Sequence, residues 1–140
     1  MPCIVRINHI GLAVQDSTPA TTFWQALGLP LQGTEAVPLD RVTVSFLPVG
    51  DSHIELLEPL GEEGPVQKFL LNRGEGLHHL CLEVDDLAGL LDQLHAAGVE
   101  LVDRVPRSGA HGSRVAFIHP RAAHGVLIEL MESGGPGVGE

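Results

Sequence analysis

The chain has 140 residues, 44% of them hydrophobic, and a formal net charge of −10 at pH 7. This length and apolar content are sufficient for a folded core that needs no disulfide to hold it together. The eight Lys and Arg residues argue against a general nucleic-acid binder, because neutralising a phosphate backbone requires clustered basic side chains.

The two cysteines and the lack of long apolar runs indicate the cellular compartment in which the protein works. Cys3 and Cys81 lie far apart in the sequence and form no CxxC pair, which favours reduced, packed thiols over a disulfide or a redox site. The N-terminus has no basic segment followed by an apolar run, and no stretch approaches membrane-spanning length. We therefore expect a cytoplasmic protein without a membrane partner.

The first predicted element is a strand from Ile4 to Val14, in which bulky residues alternate with polar or small ones. Because side chains alternate across a strand, we expect one face to pack against helices and the other to line a cavity. One face carries Ile10, Leu12 and Val14, and the other carries His9, Gly11 and Ala13. A helix is then predicted to begin after Asp16, its N-cap, and to run to about Leu27. Gly28 would end it in a left-handed backbone conformation.

Two further strands are predicted from Val37 to Pro48 and from Ser52 to Leu57, joined by a turn at Gly50. After them comes a short helix, at about residues 64–73, that has Pro65 in its first turn. We interpret this helix as a connector between two modules.

The second half of the chain repeats the first. The segment around His79 matches the segment around His9 at a separation of 79 − 9 = 70 residues, which also carries Gly28 onto Gly98. Glu55 and Glu129 lie in matching Ile-Glu-Leu triplets, 129 − 55 = 74 residues apart. The elements of the second copy are a strand around His79, a helix from Asp85-Asp86 to about Ala97, and strands Arg114–His119 and Gly125–Met131.

This repeat predicts an α+β fold of two β-α-β-β-β modules. We place the modules at about residues 4–58 and 74–132, within a single domain of residues 1–132. The glycine-rich residues 133–140 are predicted to be a flexible tail.

Two imidazoles and two carboxylates occupy equivalent places in the modules: His9, Glu55, His79 and Glu129. Both glutamates are embedded in apolar strands, where an unpaired charge is costly. If the modules are related by an approximate two-fold axis, the four side chains can converge on one divalent metal ion. Imidazole and carboxylate ligands do not select among Co, Mn, Zn, Ni, Fe and Mg.

Other polar residues are weaker candidates. His53 shares a strand face with Glu55 and could bind or support a metal site, but it has no counterpart in the second module, so a structural role is favoured. A glycine-bearing loop could bring backbone N–H groups to an anionic ligand; it comprises Gly109, Ala110, His111 and Gly112. Several basic residues could meet phosphates, although a solvated role is at least as plausible for each: Lys68, Arg104, Arg107, Arg114 and Arg121.

Several ordered blocks of the sequence resemble a known family. The most specific are residues 8–14, 46–51, 54–59, 74–79, 109–112, 117–120 and 125–130. Together they resemble the vicinal oxygen chelate superfamily, which includes glyoxalase I, extradiol dioxygenases and antibiotic-binding resistance proteins. Within it, the chain is most similar to the methylmalonyl-CoA epimerase family, over residues 7–132.

The resemblance implies a curved, half-barrel-like mixed sheet with helices outside. It also implies metal ligands at His9, Glu55, His79 and Glu129, the positions that the internal repeat selects. The implied reaction interconverts (R)- and (S)-methylmalonyl-CoA through proton removal and return at C2, with Glu129 and Glu55 as base and acid. The implied substrate is an acyl-CoA, and similar proteins are commonly homodimers. Some bacterial relatives have Gln in place of Glu55 and a proposed catalytic Glu in place of Val44, so that base is absent here.

Two other functions stay open on the same fold. A glyoxalase I-type isomerase would act on a glutathione hemithioacetal with a comparable His and Glu set. A non-catalytic binding or resistance protein would need an aromatic-lined cavity without metal, for which the chain offers only Trp24 and four Phe. A dioxygenase is disfavoured, because it resembles longer chains and uses two His and one carboxylate with open positions for oxygen.

Overall fold

A computed structural model describes residues 1–109 and 112–133. It confirms the α+β class and the repeated β-α-β-β-β order. The chain divides into two compact units. The first unit comprises residues 9–78, and the second comprises residues 1–8 together with the described residues from 79 onward. Within the described ranges, no helix is long and apolar enough to cross a membrane.

The first unit contains a four-stranded mixed sheet in the order β2-β3-β4-β1. β1 pairs with β4 in parallel, while β3 pairs antiparallel with both β2 and β4. The elements are β1 (Ile4–Ala13, of which residues 9–13 belong to this unit), α1 (Ser17–Ala26), β2 (Gly33–Val37), β3 (Val42–Val49), β4 (Ser52–Pro59) and α2 (Pro65–Arg73).

The predicted strand from Val37 to Pro48 is wrong in its first half. Pro38–Asp40 forms a 3-10 turn that ends at Arg41 with a φ of 56°, and Gly33–Val37 forms a separate strand. Pro38 lacks a backbone N–H and has a fixed φ, which suits the start of a helical turn rather than a strand interior. The turn therefore redirects the chain so that β2 can pair with β3.

The second unit repeats this arrangement in the order β5-β8-β7-β6. β5 pairs with β8 in parallel, while β7 pairs antiparallel with both β8 and β6. The elements are β5 (Gly76–Val84, which enters this unit at residue 79), α3 (Leu87–Ala96), β6 (Arg107–Ser108), β7 (Arg114–Ile118) and β8 (Leu127–Glu132).

The predicted helix ends are confirmed in both units. The Asp16 carboxylate accepts a hydrogen bond from the Thr18 N–H at 3.0 Å, and Asp86 accepts one from Gly89 at 3.0 Å. These bonds satisfy backbone donors that the first turn of a helix leaves free. Gly28 and Gly98 follow the helices with φ values of 99° and 80°, a conformation that favours glycine.

The two faces of the first unit's sheet pack against different helices. On one face, Leu47 and Leu56 pack with Trp24 of α1. On the other face, α2 buries Val66 and Leu70 against a cluster of Ala13, Val42, Val44 and Leu57. The segment predicted as a connector is therefore also a packing element on the face that carries His9 and Glu55.

Candidate active site

In the first unit, the register of β1 and β4 places His9 and Glu55 on the same face. His9 is opposite His53 and Gly11 is opposite Glu55, and residues two apart in a strand share a face. His9 Nδ1 lies 3.4 Å from Glu55 Oε2, with the two side chains 6% and 14% exposed. A mostly buried imidazole thus lies beside a mostly buried carboxylate.

The second unit contains the same kind of pair on β5 and β8. His79 Nε2 lies 3.5 Å from Glu129 Oε1, with the side chains 11% and 14% exposed. Cys81 is fully buried and lies directly opposite Glu129 in the register, where Gly11 faces Glu55 in the first unit. Its Sγ and a carboxylate oxygen of Glu129 lie within 4.8 Å of each other.

The chemistry of these pairs fits a divalent metal ion. A carboxylate removed from water needs a charged partner or several hydrogen bonds. A metal ion is such a charged partner. Imidazole nitrogen and carboxylate oxygen are ligands for Zn and for other first-row divalent metals. The described residues therefore include histidine and glutamate groups that could hold a metal ion.

His53, a weaker candidate in the sequence analysis, lies within hydrogen-bonding distance of Glu55. Its Nε2 lies 2.8 Å from Glu55 Oε2. The His53 ring stacks on the His9 ring at a centroid distance of 5.1 Å, and the Phe46 ring lies 5.8 Å away. The signal for this contact in the sequence was the spacing of two residues between His53 and Glu55.

The predicted anion-binding loop is described only at its ends. Ala110 and His111 lie outside the described residues. The Gly109 N–H donates to the Ser113 carbonyl at 2.9 Å, and a Cβ atom at Gly109 would lie 2.6 Å from Ser113 Oγ. Gly112 has a φ of 74°. A side chain at either glycine is therefore disfavoured, and the binding role of the loop stays a prediction.

The candidate phosphate-binding arginines have acidic neighbours. The pairs are Arg104 with Asp92 at 2.9 Å, Arg107 with Asp103 at 3.4 Å, Arg114 with Glu132 at 3.8 Å and Arg121 with Glu100 at 2.7 Å. Hydrogen bonds from the Arg121 guanidinium lower the pKa of the Glu100 carboxyl. Arg107 differs from the others because its guanidinium also lies 5.2 Å from the centre of the Phe117 ring, and Phe117 is the register partner of Glu129.

Comparisons with known proteins place the chain in a family. Residues 8–117 match the family described as the Glyoxalase/Bleomycin resistance protein/Dioxygenase superfamily. The mitochondrial methylmalonyl-CoA epimerase of Homo sapiens is 38% identical over 131 residues, which are 91% of this chain and 74% of that protein. The ethylmalonyl-CoA/methylmalonyl-CoA epimerase of Cereibacter sphaeroides is 39% identical over 130 residues, which are 91% of this chain and 97% of that protein.

A solved structure extends the likeness to the fold. A methylmalonyl-CoA epimerase in complex with methylmalonyl-CoA and NH4+ is similar to this chain with a TM-score of 0.83 and 34% sequence identity. The match covers 95% of this chain and 97% of that one.

Proposed function

The chain belongs to the Glyoxalase/Bleomycin resistance protein/Dioxygenase superfamily, and on that premise we propose that it is a metal-dependent methylmalonyl-CoA epimerase. The observation that carries this proposal is the histidine–glutamate pair found in each unit, at 3.4 Å and 3.5 Å. Relatives named for this reaction match 91% of the chain, which supports an isomerase of the epimerase type.

We propose that His9, Glu55, His79 and Glu129 together bind one divalent metal ion, whose identity these ligands do not select. C2 of methylmalonyl-CoA, which carries the hydrogen to be removed, is bonded to both the thioester carbonyl and the carboxylate. Removing this hydrogen as a proton gives an enolate whose negative charge collects on oxygen. When bound, the metal ion would supply positive charge that stabilises this developing anion.

The two glutamates are the proposed acid and base. One carboxylate takes the proton from C2, and the other, already protonated and therefore loosened from the metal ion, returns a proton to the opposite face of C2. The product is the other epimer, and the two groups have exchanged protonation states. No electron leaves the substrate, so the reaction needs no nicotinamide or flavin.

Val44 removes one candidate for the catalytic base. Some relatives carry a proposed catalytic Glu at this position, whereas here Val44 is 6% exposed and belongs to the apolar cluster with Ala13 and Leu57. A valine has no ionisable group, so Val44 cannot exchange a proton with the substrate. Glu55, on the same face of the sheet, is the carboxylate of this unit that we assign to that task.

The remaining predictions about binding are also part of the proposal. The backbone of the loop from Gly109 to Gly112 would contact an anionic part of the acyl-CoA substrate. The homodimer is expected from the resemblance to similar proteins, and the cytoplasmic location from the spacing of the two cysteines in the sequence.

Parallel assays of two substrates test the proposed reaction. We expect the metal-loaded protein to epimerise methylmalonyl-CoA and to leave the glutathione hemithioacetal of methylglyoxal unchanged. The reverse result would identify a glyoxalase I-type isomerase. A protein that binds no stoichiometric metal and catalyses neither reaction after metal is added would be a binding protein instead. Ethylmalonyl-CoA should be included, because the Cereibacter sphaeroides relative is named for both acyl groups.

A further inference from the structure

The contact between His53 and Glu55 makes the two histidine–glutamate pairs unequal. We propose that His53 is a positioning residue, which holds the carboxylate of Glu55 in the orientation that binds the metal ion. In the second module the matching place, two residues before Glu129, is occupied by Leu127, whose side chain has no hydrogen-bonding group. The inference rests on the metal site proposed above and assigns His53 no contact with substrate.

The geometry of His53 suits this role. It precedes Glu55 by two residues in β4, so both side chains leave the strand on the same face. His53 Nε2 lies 2.8 Å from Glu55 Oε2, the distance of a strong hydrogen bond to a carboxylate. The His53 ring is stacked on His9 with an interplanar angle of 24° and also contacts Phe46. Aromatic packing therefore fixes the ring that presents the donor.

A hydrogen bond from His53 restricts the orientation of the Glu55 carboxylate. Its two oxygens exchange places by rotation about the last side-chain bond, and a hydrogen bond to Oε2 selects one setting. With the Glu55 side chain only 14% exposed, water is poorly placed to replace a lost donor. Residues that orient metal ligands in this way typically change metal affinity or activity about 10- to 100-fold when they are removed.

The test compares three variants for Co²⁺ binding in the absence of substrate. The variant His53→Leu places a leucine in the first module, as the second module has at the matching position, Leu127. His53→Gln retains a side-chain N–H at a reach similar to that of Nε2. His95→Leu, at an exposed position of α3, is the matched control for losing an imidazole elsewhere.

We expect His53→Leu to raise the Co²⁺ dissociation constant, measured by competition with a chelator, by about 10- to 100-fold. His53→Gln should stay within about threefold of the unsubstituted protein, and His95→Leu should not change the constant. In the epimerase assay, His53→Leu at saturating Co²⁺ should lower kcat and leave KM nearly unchanged, since His53 does not touch substrate. Thermal unfolding of each variant shows whether it is folded.

Two results would overturn the inference. One is a folded His53→Leu variant that binds Co²⁺ as tightly as the unsubstituted protein. The other is a His53→Gln variant that is as defective as His53→Leu, because a retained side-chain N–H would then not account for the role of His53. An unsubstituted protein that binds Co²⁺ but does not epimerise methylmalonyl-CoA would contradict the proposed function alone, because the Co²⁺ constants of the variants would still decide the role of His53.

Discussion

Replacing Glu129 by Gln is expected to slow deuterium incorporation at C2 of methylmalonyl-CoA in heavy water by about 100- to 10,000-fold. The amide of Gln does not accept a proton at neutral pH, so this variant loses one of the two groups that exchange protons with C2. Its carbonyl oxygen is still an oxygen ligand, so metal binding should weaken less than catalysis does. The exchange is followed by mass spectrometry under metal-saturating conditions.

The control for this experiment is Glu62→Gln. Glu62 is exposed in the segment between β4 and α2, and its replacement makes the same change of charge outside the strands that carry the proposed ligands. The control variant should keep the exchange rate within about twofold of that of the unsubstituted protein, because most exposed substitutions have small effects. Undiminished exchange in the Glu129→Gln variant would remove Glu129 from the chemistry. A measured metal content for each variant separates loss of a base from loss of the metal ion.

Replacing Gly11 by Leu is the second change with a large expected effect. Gly11 is buried on the strand face that carries His9 and Ala13, and it lies opposite Glu55 in the register. A leucine side chain there would occupy space that we assign to substrate next to the metal ligands. We expect kcat/KM to fall by about 100-fold or more, because small displacements of a substrate are costly to catalysis. Co²⁺ should still bind with one equivalent per chain.

Gly11→Ala is the graded control, since it adds a single methyl group on the same face. Its kcat/KM should lie between that of the unsubstituted protein and that of Gly11→Leu. The space assigned to substrate would be disproved if Gly11→Leu retained full kcat/KM. If it lost Co²⁺ and activity together, the added side chain would be disturbing the ligands instead. Thermal unfolding measures the stability that the larger residue costs, for which about 1–3 kcal/mol is typical of overpacking.

The parts of the fold that the sequence predicted are those determined by local rules. The Asp16 and Asp86 caps, together with Gly28 and Gly98, act within one turn of the helix that they start or end. The strand around His9 shows a clear alternation of bulky and small residues, and period two places its side chains on known faces. These features need no knowledge of distant contacts.

The missed features depend on contacts that a linear pattern does not contain. β2 is exposed or half-buried along Gly33–Val37 and has no apolar alternation, so its pairing with β3 is what makes it a strand. The position of α2 against Val44 and Leu57 likewise required the folded sheet. For His53, the spacing gave the shared face with Glu55, but the 2.8 Å contact depends on side-chain rotamers.

Titration of the metal-free protein with Co²⁺, while deuterium incorporation at C2 of methylmalonyl-CoA is followed, tests the central claim most directly. The proposed site has one set of ligands per chain, and the proposed reaction needs the ion. We predict that the exchange rate rises linearly with added Co²⁺ and reaches a plateau at one equivalent per chain. Exchange at full rate without metal, or no exchange at full metal loading, would contradict a metal-dependent epimerase.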